Sequence, residues 1–133
     1  MTDAAAIACP CGSGAPFAEC CGPVLNGAPA PTAEALMRSR FTAYATGHAD
    51  HLAVSWAPET RPSDLHVAPG RRWTHLEIVD TERGRQLDAE GIVEFRAHWE
   101  EAGRRGVLTE RSRFRRENGR WVYVDGTHRS GDD

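Results

Sequence analysis

Residues 107–125 read VLTERSRFRRENGRWVYVD. Asn118-Gly119 is a strong hairpin signal, because both central residues of a type I′ turn take positive φ, which Asn and Gly tolerate. The arms on either side, Val107–Arg116 and Arg120–Asp125, alternate as strands do. In the first arm Leu108, Glu110, Ser112 and Phe114 share one face, while Arg111, Arg113 and Arg115 share the other. Leu108 and Phe114 mark the inward face, so Glu110 and Ser112 are carried inside with them. The same reading predicts strands over Arg72–Glu82 and Gly91–Trp99, with a turn across Gly103–Gly106. Upstream, Thr32 is a good N-cap and Gly47 a plausible C-cap for a helix whose Leu36, Met37, Arg40, Phe41 and Tyr44 lie on one face. A short second helix is expected over Asp50–Trp56, stopping before Pro58. Residues 57–71 hold three prolines and read as irregular. Helices followed by an antiparallel meander predict an α+β domain over residues 32–128, with a tail at 129–133.

Residues 9–23, CPCGSGAPFAECCGP, form a different kind of segment. Cys9, Cys11, Cys20 and Cys21 supply four thiols, which suit a tetrahedral Zn²⁺. Thiolate softness favours zinc, with iron as the alternative, over magnesium or calcium. The tight turn at Gly12, Ser13 and Gly14 can point backbone N–H groups back at the sulfurs. Phe17 is the small unit's one apolar plug. Two disulfides or four free thiols are the competing readings, and a bond between the adjacent Cys20 and Cys21 would be strained. Four protein ligands leave no open position for a substrate, so the role expected of the metal is structural. Residues 1–23 thus read as a metal knuckle. Residues 24–31, VLNGAPAP, read as a linker across which few contacts pass, so that the knuckle is expected to be separable.

Composition sets the outer limits. At 40% hydrophobic and 26% charged, the 133 residues have the profile of a globular chain. A net charge of −3 provides no global basic field, and sequence-specific nucleic-acid binding is not expected. All 16 basic residues are arginine, which excludes Schiff-base lysine chemistry and a Walker-type phosphate loop. No apolar run reaches the ~18 residues of a membrane helix, and MTDAAAIA does not resemble a signal peptide, so a cytoplasmic location is expected. The oligomeric state is left open.

CPCGSG, Phe17 and CCGP together resemble the SEC-C motif, the small zinc-binding tail of the translocation ATPase SecA and of other bacterial proteins. LMRSRFTAY, ERSRF and GRWVYVDGT resemble the YchJ family of uncharacterised bacterial proteins, which joins a SEC-C motif to a domain similar to nuclear transport factor 2. The resemblance implies a cone: a curved antiparallel sheet wrapped around helices and preceded by the four-cysteine knuckle.

Within such a cone Arg40, Tyr44, Glu110, Ser112 and Phe114 are the candidate pocket residues. Arg40 and Glu110 are expected to meet in a two-pronged ion pair, since each charge alone would be costly to bury. Trp56, Trp73, Trp99 and Trp121 read as core, and the six histidines as surface residues. The outer arginines read as a solvated face, with an anionic partner as the sharper alternative. Two functions follow. One is a metal-binding adaptor or small-ligand-binding protein, its knuckle docking on a protein or ribosome-associated partner. The other is an isomerase- or dehydratase-like enzyme using a polar group in the cavity, although no nucleophile–base–orienter triplet stands out.

Overall fold

The computed structural model describes residues 7–65, 67 and 69–132, the last four by their backbone. A 3-10 turn over Phe17–Glu19 leads into α1 (Cys21–Leu25), α2 (Ala33–Thr46) and α3 (Ala49–Val54). Strands β1 (Arg72–Arg83), β2 (Glu90–Glu101), β3 (Arg104–Glu117) and β4 (Arg120–Asp132) follow. They form one antiparallel sheet in sequential order, a curved open cone closed over by the helices. Register shifts at Trp73/His75, Ile78/Asp80 and Arg113/Phe114 bend it, as bulges do.

The caps of α2 are those the sequence specifies. Thr32 Oγ1 accepts from the Ala35 N–H at 3.0 Å, and Gly47 closes the helix at φ 80°. Asn118-Gly119 makes the β3–β4 turn with Asn118 at φ 54°. A second turn of this kind at Ala102-Gly103 joins β2 to β3. This corrects the wider turn expected at Gly103–Gly106, since β3 already begins at Arg104. β4 runs beyond its expected end at Asp125, because Gly126–Asp132 pair with Gly106–Ser112 although their side chains carry no apolar alternation.

α2 is enclosed on three sides. Leu36, Met37 and Phe41 pack with Phe95, Val93 and Phe114 of the sheet in the main core. The knuckle covers a second side: Cys9, Cys11 and Cys21 belong to that same core, and Thr42 Oγ1 donates to Cys21 Sγ at 3.3 Å. Arg38 reaches the Cys11 carbonyl at 3.1 Å. Nor do residues 24–31 hang free, for Val24 and Ala30 are buried. The expectation that few contacts cross from the knuckle is therefore corrected. Polar residues of α2 outside its apolar face, Arg38 and Thr42, are what the cysteine segment lies on. Removing residues 1–23 should lower the thermal midpoint of the remaining chain by about 5 °C or more, given how steeply a domain of this size responds to lost burial. An unchanged midpoint by circular dichroism would show that these contacts carry no stability.

α3 covers the third side, where His51 Nε2 lies 2.8 Å from Ser39 Oγ in a buried pair. This corrects the placement of every histidine at the surface: His51 faces inward one turn into α3. Burial, then the nearby charges of Arg40 and His48, pull its pKa down to about 4 from 6.5. The unfolded chain thus binds a proton that the folded chain refuses between those values. Stability from His51 is complete above about pH 6.5 and is lost as pH falls towards 4. Denaturant titrations across this window should show the decline for the native protein, with a flatter profile for His51→Gln; parallel profiles would remove His51 as its source.

Candidate metal knuckle and cavity

The knuckle brings together all four predicted ligands. Their Sγ atoms lie within 4.8 Å of one another, and Cys11 Sγ and Cys20 Sγ are 3.6 Å apart. A regular tetrahedron with Zn–S bonds of about 2.3 Å has edges of about 3.8 Å, so the four sulfurs surround a space of the size one cation needs. All four are free thiols. Donors already point at the sulfurs. Ser13 Oγ is 3.1 Å from Cys20 Sγ, Thr42 donates to Cys21, and Arg38 Nη1 approaches Cys11 Sγ at 3.8 Å. The Ser13 side chain and backbone both hydrogen-bond to Cys11, as the glycine-flanked turn led one to expect. The donors from α2 are additional, and no spacing within the cysteine segment announces them.

Crowding splits the thiols. The hydrogen bond from Cys21 draws Cys11 down to about 4, against the opposing effect of burial. The same bond, followed by burial, pushes Cys21 upward, and burial raises Cys20. The hydrogen bonds to Cys11 thus favour its deprotonated form, and a metal ion bound here would displace the protons of its neighbours.

The second feature is a cavity of about 470 Å³ between α2 and the sheet. Arg40, Tyr44 and Glu110 line it, as expected of pocket residues. Ser112 and Phe114 are buried beneath it instead, Ser112 Oγ donating to Glu110 Oε2 at 2.5 Å. The direct Arg40–Glu110 ion pair is corrected. Arg40 Nη1 donates to the Leu52 carbonyl at 3.1 Å and to Ser55 Oγ at 2.7 Å. Its guanidinium lies 4.8 Å from the centre of the Trp56 ring and 4.6 Å from that of Tyr123. Glu110 accepts from the Tyr123 hydroxyl at 2.8 Å. Tyr123 therefore stands between the two charges, giving Arg40 its ring face and Glu110 its hydroxyl. Burial lowers the Arg40 pKa and raises those of Tyr44 and Tyr123, with Glu110 adding to the rise at Tyr123.

Trp56 and Trp73 line the cavity instead of filling the core, whereas Trp99 and Trp121 are buried as expected. Phe41 and Tyr44 approach Trp73 with ring centres 6.5 and 6.1 Å away. Gly126 was not foreseen either: a Cβ there would sit 2.5 Å from Glu110 Oε2, so this glycine makes room for the carboxylate. On the outer sheet face, Arg111 meets Asp80, Glu82 and Glu94, Arg113 meets Asp125, and Arg115 meets Glu59 and Glu117. The arginine stripe is thus charge-compensated within the fold.

A four-thiol knuckle packed on the central helix of an open cone defines the class of this molecule. The chain belongs to the family described as YchJ, middle NTF2-like domain, matched over residues 32–126, and it carries a SEC-C motif over residues 8–23. A UPF0225 protein of Streptomyces coelicolor is 51% identical over 119 residues, covering 89% of this chain and 93% of that one. A UPF0225 protein of Chromobacterium violaceum is 50% identical over 127 residues, covering 92% and 93%. The solution structure of a SEC-C motif containing protein from Rhodopseudomonas palustris superposes with a TM-score of 0.80 at 33% identity, over 90% of this chain and 96% of that one. A crystal structure of a SEC-C motif containing protein from Psychrobacter arcticus gives 0.75 at 22% identity, over 92% and 82%, a likeness of fold. No helix among the described residues is long and apolar enough to cross a membrane.

Elemental analysis of protein prepared without chelator should find about one equivalent of thiophilic metal per chain, as expected of a closed tetrahedral site. Cys11→Ser should reduce that content and the thermal midpoint together. Metal-free protein with four readily titrated thiols and an unaltered midpoint would overturn the metal assignment.

Proposed function

We propose that this protein binds a small ligand in its cone and that the knuckle holds one zinc ion as a structural clamp. The cavity between α2 and the sheet carries the reading. Its volume of about 470 Å³ falls in the range of small-molecule sites, and walls of aromatic and aliphatic side chains with a few polar groups are what such sites present. Zinc is the metal assigned because a closed set of four thiolates completes its coordination and leaves it structural work alone. Arg38 and Thr42 join the knuckle to α2, and α2 supplies Arg40, Phe41 and Tyr44 to the cavity. A clamp on the helix's outer flank thus steadies the wall on its inner flank.

Glu110 fits a binding role better than a catalytic one. Its Oε2 already accepts from Ser112 and Tyr123, which fixes the carboxylate in place as an acceptor on the cavity wall.

The neutral fluorophore N-phenyl-1-naphthylamine should bind with an affinity in the micromolar range or tighter and show enhanced emission at about one site per chain. Ala97 is buried on the cavity wall, and Ala97→Trp should fill the space and abolish the enhancement while the protein stays folded. No enhancement with the native protein, or full enhancement in the filled variant, would overturn a ligand-binding cone.

A further inference from the structure

A fault in the pairing of β1 with β2 gathers metal-ligating side chains on the outer face of the sheet, away from both the knuckle and the cavity. Trp73 lies opposite Trp99. In regular pairing Thr74 would then face His98, and His75 would point to the inner side with Ala97. The register shift after Trp73 changes this. Thr74 is left without an opposite residue, and His75 pairs with His98, Leu76 with Ala97 and Glu77 with Arg96. Leu76 is accordingly buried, while His75 and Glu77 are exposed. The bulge moves β1 by one step in parity and turns His75 and Glu77 onto the face that carries His98, as bulges re-aim side chains.

The three side chains then converge. The rings of His75 and His98 stack with centres 3.9 Å apart and planes 11° from parallel. His98 Nε2 lies 2.6 Å from Glu77 Oε1. One nitrogen of each ring and a carboxylate oxygen all lie within 4.8 Å of one another. A tetrahedral ion with bonds of about 2.0–2.2 Å needs neighbouring ligands about 3.4 Å apart. His75 and Glu77 are exposed, so small side-chain rotations reach that spacing. Arg96 approaches Glu77 only to 4.0 Å and is itself half exposed, which leaves the carboxylate accessible. Packing alone does not favour this arrangement. Aromatic rings prefer offset or edge contacts to a face-to-face stack, and a proton on each imidazole would set two cations against one another. Metal ligation uses both rings in their neutral form.

We propose that His75, Glu77 and His98 form a second metal site, for a divalent ion of the zinc, nickel and copper group. Imidazole nitrogen suits these ions, whereas magnesium and calcium call for oxygen ligands. Two histidines and a glutamate are a set that zinc accepts. The site differs in kind from the knuckle. Four thiolates close the knuckle, while three ligands on an exposed face leave a position for water or for a donor from another molecule. All three stand on paired strands, whose register holds their spacing more precisely than loops would. The inference is independent of what occupies the cavity and of which ion the knuckle holds.

The test is equilibrium dialysis of the untagged full-length protein against micromolar free zinc, followed by elemental analysis. The native protein should hold one equivalent more than His75→Ala or Glu77→Gln at the same free zinc. Affinity at this site should fall at least about tenfold in each variant, since loss of even an outer partner of a ligand costs that much. Only the difference is counted, so metal in the knuckle cancels. Both substitutions are at exposed positions, and melts check that the variants fold. His48→Ala, in the α2–α3 connection, should keep the native content. In nitrogen-15 spectra of the imidazoles, zinc should shift the His75 and His98 resonances together. Equal zinc content in the native protein and in both site variants overturns the proposal. So does an equal loss in His48→Ala, or zinc-dependent shifts confined to other histidines.

Discussion

A guanidinium taken out of water costs several kcal/mol unless the protein replaces what water supplied. Arg40 is in that position at the centre of this molecule, and the groups that replace water come from three separate elements. The Leu52 carbonyl and Ser55 hydroxyl come from α3 and its C-cap, Trp56 from the segment that follows, and Tyr123 from β4. The backbone repeats the connection: the Tyr123 N–H donates to the Ser55 carbonyl at 2.8 Å, and the Ala57 N–H to the Tyr123 carbonyl at 2.7 Å. A helix, a second helix and an edge strand are thus held in register around one cation. A well-packed apolar side chain would do this at lower cost, but it would leave no cation at this point of the cavity wall.

Much of the architecture was legible in local chemistry. Thr32 and Gly47 bound α2 because one accepts a hydrogen bond at a helix start and the other tolerates positive φ at its end. Alternation along β3 placed Ser112 and Phe114 inside and Arg113 outside. Spacing alone gathered the cysteines. What stayed hidden was the identity of partners across long sequence separations. Parity correctly turned Arg40 and Glu110 towards one interior, yet it could not show that Tyr123 would come between them. For a similar reason His51 looked like a helix-start residue at the surface. Its burial is decided by Ser39 on a different helix, which a one-element reading cannot see. Gly126 lies just past the expected end of the last strand, and only the position of the Glu110 carboxylate gives its missing side chain a purpose.

The apolar periodicity of α2 identified one buried face, but the helix is buried on three. The faces that escaped notice are made of small or polar residues, Arg38, Ser39 and Thr42, whose partners are sulfurs, a histidine and a backbone carbonyl. Burial through hydrogen bonds leaves no hydrophobic stripe for a pattern search to find. A cluster of Ser, Thr and Ala on the flank of an otherwise amphipathic helix is the signal that could have been read, since such residues let another backbone approach closely.

The two sites share this helix, and that sets how they can influence each other. Thr42 and Arg38 face the cysteines, while Phe41 and Arg40 face the sheet and cavity, so adjacent residues point to opposite flanks. Turning α2 about its axis enough to loosen Thr42 from Cys21 would also move the Arg40 guanidinium out from between its two rings. Leu36, Met37 and Phe41, buried against the sheet, oppose such a turn, because displacing packed side chains is costly. On the metal-binding reading proposed above, four sulfurs held around one ion would fix the rotation of α2, and with it the place of Arg40 on the cavity wall. On that reading the knuckle would act on the cone through the orientation of one helix, at a distance from the cavity.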